Sequence, residues 1–320
     1  MTQWLDVHAH YVTDHYAAVC RAAGHERPDG MPGIPGWSVE SARELMESTG
    51  VAAAVLSISS PGVHFGSDSL GRDSAARDLA AHVNDAGAAI VTRAPERFGV
   101  AAVLPLPDVD GALAEIARAY DQLGADAVAM KTNYHGRYLA DPEFDAVLGE
   151  LDRRGAVALL HPTSPPGWEV TALGRPRPML EFLFDTTRCV LDLVMSGVIT
   201  RYPGIRWVIP HAGAVLPAVA HRASLFTAIT GEPMDVPAAL GRLYYDLAGL
   251  PLPIELPALL GIVGPERLLY GSDFPFTPAP AVAALAGVLA QAPELAGAQL
   301  GLTPGSAGAQ LFPRLAGRQV

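Results

Sequence analysis

Eight short apolar runs, each followed by a stretch with helical spacing, constrain this chain more than any other feature. The runs are "WLDVHAHYV" (4–12), "VAAAVLSIS" (51–59), "FGVAAVLPL" (98–106), "ADAVAMKT" (125–132), "GAVALLHP" (155–162), "IRWVIPHAG" (205–213), "RLYYDLAG" (242–249) and "ERLLYGSD" (266–273). Continuous rather than alternating apolar character suits strands covered on both faces, as in a parallel sheet. Between them, residues 38–50 open on Ser38 as an N-cap and stop at Gly50. Residues 108–124 end on Gly124, and residues 141–155 end on Gly155 with Pro142 in the first turn. This alternation predicts an α/β fold, a (β/α)8 TIM barrel forming a single domain over residues 1–320. An open doubly wound sheet would show a Gly-rich phosphate loop after a strand, and no such loop is present.

Two segments exceed what a barrel needs. Residues 13–37, rich in Gly and Pro, read as a long loop after the first strand. Residues 163–204 read as an insertion after strand 5, a loop followed by an extended helix. Both follow strand C-termini, the face on which barrels build their sites.

The same face collects the ionisable residues. His8 and His10 lie two apart, so in a strand they project from one face. Buried side by side, they are either hydrogen-bonded core histidines or ligands of a cation. His161, His211 and Asp273 end three further runs, and in a closed barrel all these ends meet over one mouth. Three imidazoles and a carboxylate suit one borderline divalent ion, Zn2+ first and Mn2+ as the alternative.

Composition narrows the partners. The net charge is −11 with no run of Lys or Arg, which argues against nucleic acid and anionic membrane surfaces but not against a small anion. Half of the residues are hydrophobic, enough for a large core. Cys20 and Cys189 form neither a metal pattern nor a disulfide framework. No basic N-terminal region precedes an apolar stretch, and no uncharged run reaches the ~20 residues that span a bilayer. The expectation is a reduced, cytoplasmic protein.

The motifs "DVHAH", "LLHPTSPP", "IPHAGAVLP" and "LLYGSDFPF", in this order, resemble the amidohydrolase superfamily. The likeness is to its decarboxylase branch, which includes the aminocarboxymuconate-semialdehyde, γ-resorcylate and 6-methylsalicylate decarboxylases. "SPGVHFG", "LPLPDVDGALAEI", "TNYHGRYL" and "FDTTR" resemble the 6-methylsalicylate group in particular. The resemblance implies a metal held by His8, His10, His161 and Asp273, with His211 beside it as a catalytic group and Asp6 orienting the strand. It implies non-oxidative decarboxylation of a small aromatic carboxylic acid, a hydroxybenzoate. The proton for the ring carbon would come from Asp273 in the salicylate type, or through His211 in the semialdehyde type. Arg222, eleven residues after His211, matches an arginine that reaches into the neighbouring subunit of a homodimer. Arg188 is a second cation for substrate binding. His64, Tyr134, Trp168, Phe274 and Phe276 flank strand ends and are expected to shape an aromatic pocket. The segment "HAGA" departs from relatives that carry a second glycine, which predicts a slightly displaced loop.

Two other readings compete. Lys131 after strand 4 matches the lysine that, carboxylated, bridges two ions in hydrolases of the superfamily, which would make the chain a hydrolase of a lactone, amide or ester. A non-catalytic metal-binding barrel is the third class, and it has no use for both His211 and Asp273.

Overall fold

The computed structural model describes residues 3–66 and 73–317. Its eight long-chain strands lie in one parallel sheet in sequence order: β1 (Trp4–His10), β2 (Val51–Ser57), β3 (Phe98–Val103), β4 (Ala127–Lys131), β5 (Val157–His161), β6 (Arg206–Ile209), β7 (Tyr244–Asp246) and β8 (Leu268–Leu269). A bridge between Asp6 and Tyr270 closes β8 onto β1. The fold is therefore the (β/α)8 barrel that the eight runs predict. A small antiparallel pair, Asn133–Tyr134 with Arg137–Tyr138, stands outside it.

The helices start and stop where local chemistry directs. Around the barrel run α1 (Asp14–Ala22), α2 (Val39–Thr49), α3 (Ser74–Arg93), α4 (Val109–Asp121), α5 (Asp145–Arg154), α6 (Glu181–Met195), α7 (Leu216–Ile229) and α8 (Ala279–Ala290). Ser38 caps α2 by accepting the Ser41 N–H while the Ser41 hydroxyl accepts the Ser38 N–H. Gly50 and Gly155 close α2 and α5 in the left-handed conformation that side chains resist. One expectation fails: residues 13–37 are not all loop. Thr13 accepts the Tyr16 N–H and nucleates α1, which buries Tyr16, Ala17 and Cys20. The insertion after β5 does carry an extended helix, α6.

Two apolar layers hold the barrel. Leu5, Val7, Ala53, Val55, Ala127, Ala129, Val157 and Leu159 fill the interior, and Phe312 and Leu315 from the C-terminal segment pack on the same cluster. Trp4, Ala9 and the outward residues of the other strands pack against the helices. Among the described residues no helix is long and apolar enough to cross a membrane.

One irregularity positions the site. Between Asp6 and Ala9, β1 spends three residues against two on β2, because Asp6 pairs with Ala54 and Ala9 with Leu56. An extra residue reverses which side chains point inward. Leu5 and Val7 face the interior below it, and His8 and His10 face the interior above it. Asp6 anchors this bend, since its Oδ1 accepts the N–H groups of His8 at 3.0 Å and Ser272 at 3.1 Å. Burial pushes the Asp6 carboxyl up to about 6, against these hydrogen bonds, which draw it down. Replacing Asp6 with Ala orphans two buried N–H groups, each worth about 1–3 kcal/mol. We expect Asp6→Ala to lose about 2–5 kcal/mol of stability in chemical denaturation and Asp6→Asn, which keeps an accepting oxygen, about half of that. Equal losses in the two variants would contradict this role.

Candidate metal centre

Five predicted residues meet at the C-terminal mouth of the barrel. His8 and His10 come from β1, His161 from the end of β5, Asp273 from the loop after β8, and His211 from the turn after β6. His8, His10, His161 and Asp273 each offer one donor atom, and these four atoms lie within 4.8 Å of one another. Asp273 Oδ1 is 3.2 Å from His10 Nε2 and 3.6 Å from His8 Nε2. The His211 ring centroid is 5.0 Å from that of His8.

Hydrogen bonds on the far side of each ring aim the near nitrogen inward. His8 Nδ1 lies 2.9 Å from Asp246 Oδ2, His10 Nδ1 2.9 Å from Ser57 Oγ, and His161 Nδ1 donates to the Pro162 carbonyl at 2.7 Å. With Nδ1 protonated, Nε2 presents a lone pair. The Nε2 atoms of His8 and His10 are buried with no hydrogen-bond partner, a costly state unless something else satisfies them. The residues present therefore fit a divalent ion.

The electrostatics of His10 and Asp273 agree. Burial opposes protonation of His8, but the Asp246 carboxylate outweighs it and holds the ring's pKa up at about 9, so a divalent ion would displace the Nε2 proton on binding. Burial drives His10 down to about 4, so it offers a neutral ring. Burial would raise Asp273, yet the adjoining His10 and the other neighbouring imidazoles hold it at about 2, ionised.

Asp246 escaped the sequence reading. It ends the apolar part of β7, and "YYDLAG" carries the same signal of an acid closing an apolar run. Its Oδ1 accepts the N–H groups of His211 at 3.1 Å and Ala248 at 3.0 Å while Oδ2 holds His8. A single carboxylate thus orients a candidate ligand and the backbone of the candidate proton carrier.

The centre lies at the edge of a cavity of about 610 Å³ that His161, His211, Asp273, Phe276, Phe182, Leu183 and Val215 help to line. The other predicted pocket residues stand elsewhere. His64, Tyr134 and Trp168 line a neighbouring cavity together with Lys131 and Arg177. His64 is bonded to His135 at 2.8 Å, and the Tyr134 hydroxyl accepts the Lys131 N–H. Phe274 is buried in the outer core. Arg188 is tied to Tyr138 and Asp185 at the surface, and Arg222 is exposed over the Phe226 ring, outside its own chain's cavity. Lys131 Nζ donates to the Ile58 carbonyl at 2.8 Å. Burial lowers its pKa to about 7. Among the described residues no second cluster of His, Cys, Asp and Glu donors is found.

The turn after β6 is strained. His211, Ala212, Gly213 and Ala214 all have positive φ, and Ala214 adopts φ 55° and ψ −123°, a region open chiefly to glycine. The missing second glycine thus leaves its mark as strain on Ala214. Ala214→Gly should relieve more than the added unfolded-state entropy costs and stabilise the protein by about 1 kcal/mol, read as a Tm higher by roughly 2 °C. A lower Tm would show that the Cβ is accommodated without strain.

Comparison with known proteins agrees with this architecture. The 6-methylsalicylic acid decarboxylase of Penicillium expansum is 32% identical over 321 residues, covering 98% of this chain and 97% of the relative. A crystal structure described as an amidohydrolase II superposes with a TM-score of 0.86 at 32% identity, covering 98% of this chain and all of the other. The dihydroxybenzoic acid decarboxylase of Polaromonas sp. JS666, solved with bound manganese, shares the fold at TM-score 0.81 and 19% identity over 98% of this chain and 97% of its own. The sequence model described as amidohydrolase matches residues 5–304. The chain belongs to the amidohydrolase family.

Proposed function

We propose that this protein is a metal-dependent, non-oxidative decarboxylase of a hydroxybenzoate of the 6-methylsalicylate kind. The observation that carries the reading is the cluster of His8, His10, His161 and Asp273 donor atoms beside an apolar cavity, with His211 at its rim. The likeness to a 6-methylsalicylic acid decarboxylase along nearly the whole chain supports this reaction class. The four clustered residues would hold one divalent ion. The mixed nitrogen and oxygen donors suit Zn2+, and the manganese of the Polaromonas enzyme makes Mn2+ the alternative.

Held by His8, His10, His161 and Asp273, a divalent ion would supply Lewis acidity toward an anionic substrate. The remaining chemistry falls to the chain. Loss of CO2 breaks the bond between ring and carboxyl carbon and leaves its electron pair on the ring carbon, which must gain one proton. Asp273 and His211 both line the cavity and face the substrate; His211 can carry that proton, and Asp273, ionised at rest, would first take one up from the substrate's ortho hydroxyl. His211 Nδ1 is buried without a hydrogen-bond partner, so no protein contact competes for it. Asp246 holds the His211 backbone in position, and Phe182 and Phe276 present apolar rings to the cavity. Fixing the acid against the ring carbon supplies the orientation that a free acid in solution lacks.

Elemental analysis should find one divalent ion per chain. His161→Ala should lose most of it, and Asp246→Asn, which removes the carboxylate behind His8, should weaken affinity about 10–100-fold. His211→Asn should keep the ion and lose at least ~100-fold in turnover. Full occupancy in His161→Ala, or loss of the ion in His211→Asn, would redraw the ligand set.

The same reading extends to a homodimer. On α7, Leu225, Phe226 and Ile229 are 57%, 48% and 67% exposed, a contiguous apolar face beside Arg222. Covering that face with a second copy would place Arg222 at the interface. Ile229→Glu should give a monomer in sedimentation equilibrium. Mixing Arg222→Ala chains with His211→Asn chains should regain activity at one site per mixed dimer, and no recovery would confine Arg222 to its own subunit.

A further inference from the structure

The proposed site has walls more specific than its reaction requires. The cavity of about 610 Å³ exceeds what a single-ring acid held at the metal centre can fill. Its apolar wall begins at the centre itself, where the Phe276 ring lies 5.6 Å from His10 and the Phe182 ring 6.3 Å from His161. The lining also includes Leu183 and Val215, with Leu250 and Ile254 at the rim, 63% and 68% exposed. Among the described residues that line this cavity there is no lysine or arginine. Outside the centre and His211, the ionisable groups on its walls are Asp29 and Glu255, both acids. A substituent bearing a second negative charge would be desolvated there against like charge. The nearby cations belong to the other cavity. Lys131 is held by the Ile58 carbonyl, and Arg177 stacks on Trp168 and donates to Ser164, whose hydroxyl in turn bonds Asp29 on the boundary between the two spaces.

We infer that the substrate is a hydroxybenzoate whose ring carries an apolar alkyl chain longer than a methyl group, seated along Phe182, Leu183, Val215 and Ile254. This rests on the decarboxylase reading and adds the substituent. Each methylene buried on such a wall is worth about fourfold in binding.

The metal-loaded full-length protein should be compared on 6-methylsalicylate, 6-pentylsalicylate and 3-hydroxyphthalate, which places a carboxylate where the alkyl chain would lie. We expect kcat/KM at least about tenfold higher for the pentyl acid than for the methyl acid, and at least about tenfold lower for the hydroxyphthalate. Leu183→Asn and Val215→Ser should shrink the pentyl-to-methyl ratio, a ratio independent of how much of each variant folds. A second measurement needs no turnover: calorimetry should find 3-pentylphenol bound at least about tenfold more tightly than 3-methylphenol. Tighter pentylphenol binding without CO2 release from any acid would overturn the decarboxylase reading and leave the wall's role standing. Decarboxylation of 6-methylsalicylate with no pentyl preference in either measurement, or with hydroxyphthalate turned over equally well, would overturn the inference and leave the decarboxylase standing.

Discussion

The closure of β1 against the chain that follows β8 is the constraint on which the centre depends. Beyond the Asp6–Tyr270 bridge, Val7 N donates to Tyr270 O at 3.0 Å, Asp273 N to His8 O at 2.7 Å, and His10 N to Phe274 O at 2.8 Å. These bonds carry Asp273 to within reach of the two histidines on a neighbouring strand, although the residues lie at opposite ends of the sequence. Without closure, His8 and His10 would sit on an open sheet edge, and no carboxylate would balance a cation between them. Asp6 sits beneath this seam, its carboxylate taking two backbone N–H groups that the bend in β1 would otherwise leave unpaired.

Asp246 extends the same logic one strand further. It spends three hydrogen bonds on the His8 ring and on the backbone of His211 and Ala248, so ligand orientation and the approach of His211 share one anchor. The turn that presents His211 is held in conformations that alanine and histidine adopt rarely, and Asp273 also has positive φ. Strain of this kind persists only where the surroundings over-determine it. Here the interior cluster below and the helices outside supply that constraint.

Charge is sorted between two neighbouring cavities. The cations Lys131 and Arg177 face one, while the metal centre and an apolar wall share the other. In a protein of net charge −11, an acid entering the second cavity would meet no lysine or arginine among the described residues that line it, and a cation between the histidines would supply the local compensation.

The element pattern was legible because its causes are local. Apolar runs covered on both faces read as barrel strands, and Ser38, Gly50 and Gly155 mark helix ends by their own side chains or lack of them. The spacing of His8 and His10 required a shared face, and strand-end His161, His211 and Asp273 pointed to one mouth. What lay beyond reach depends on contacts between distant segments. The α1 helix hides in a Gly- and Pro-rich stretch because Thr13 caps only a short run ahead of the glycines. His64, Tyr134 and Trp168 follow the right strands, yet they line the neighbouring cavity, which shares Asp29 with the one at the centre. Arg188 is spent on Asp185, one turn back on α6, and on Tyr138, a contact that only the packing of α6 creates. The residues of "DVHAH" by themselves set which two imidazoles act together, through the two-residue repeat of a strand. Only the tertiary structure decided that they face inward, because the extra residue between Asp6 and Ala9 reverses the strand's parity, and that reversal is measured against β2, more than forty positions away.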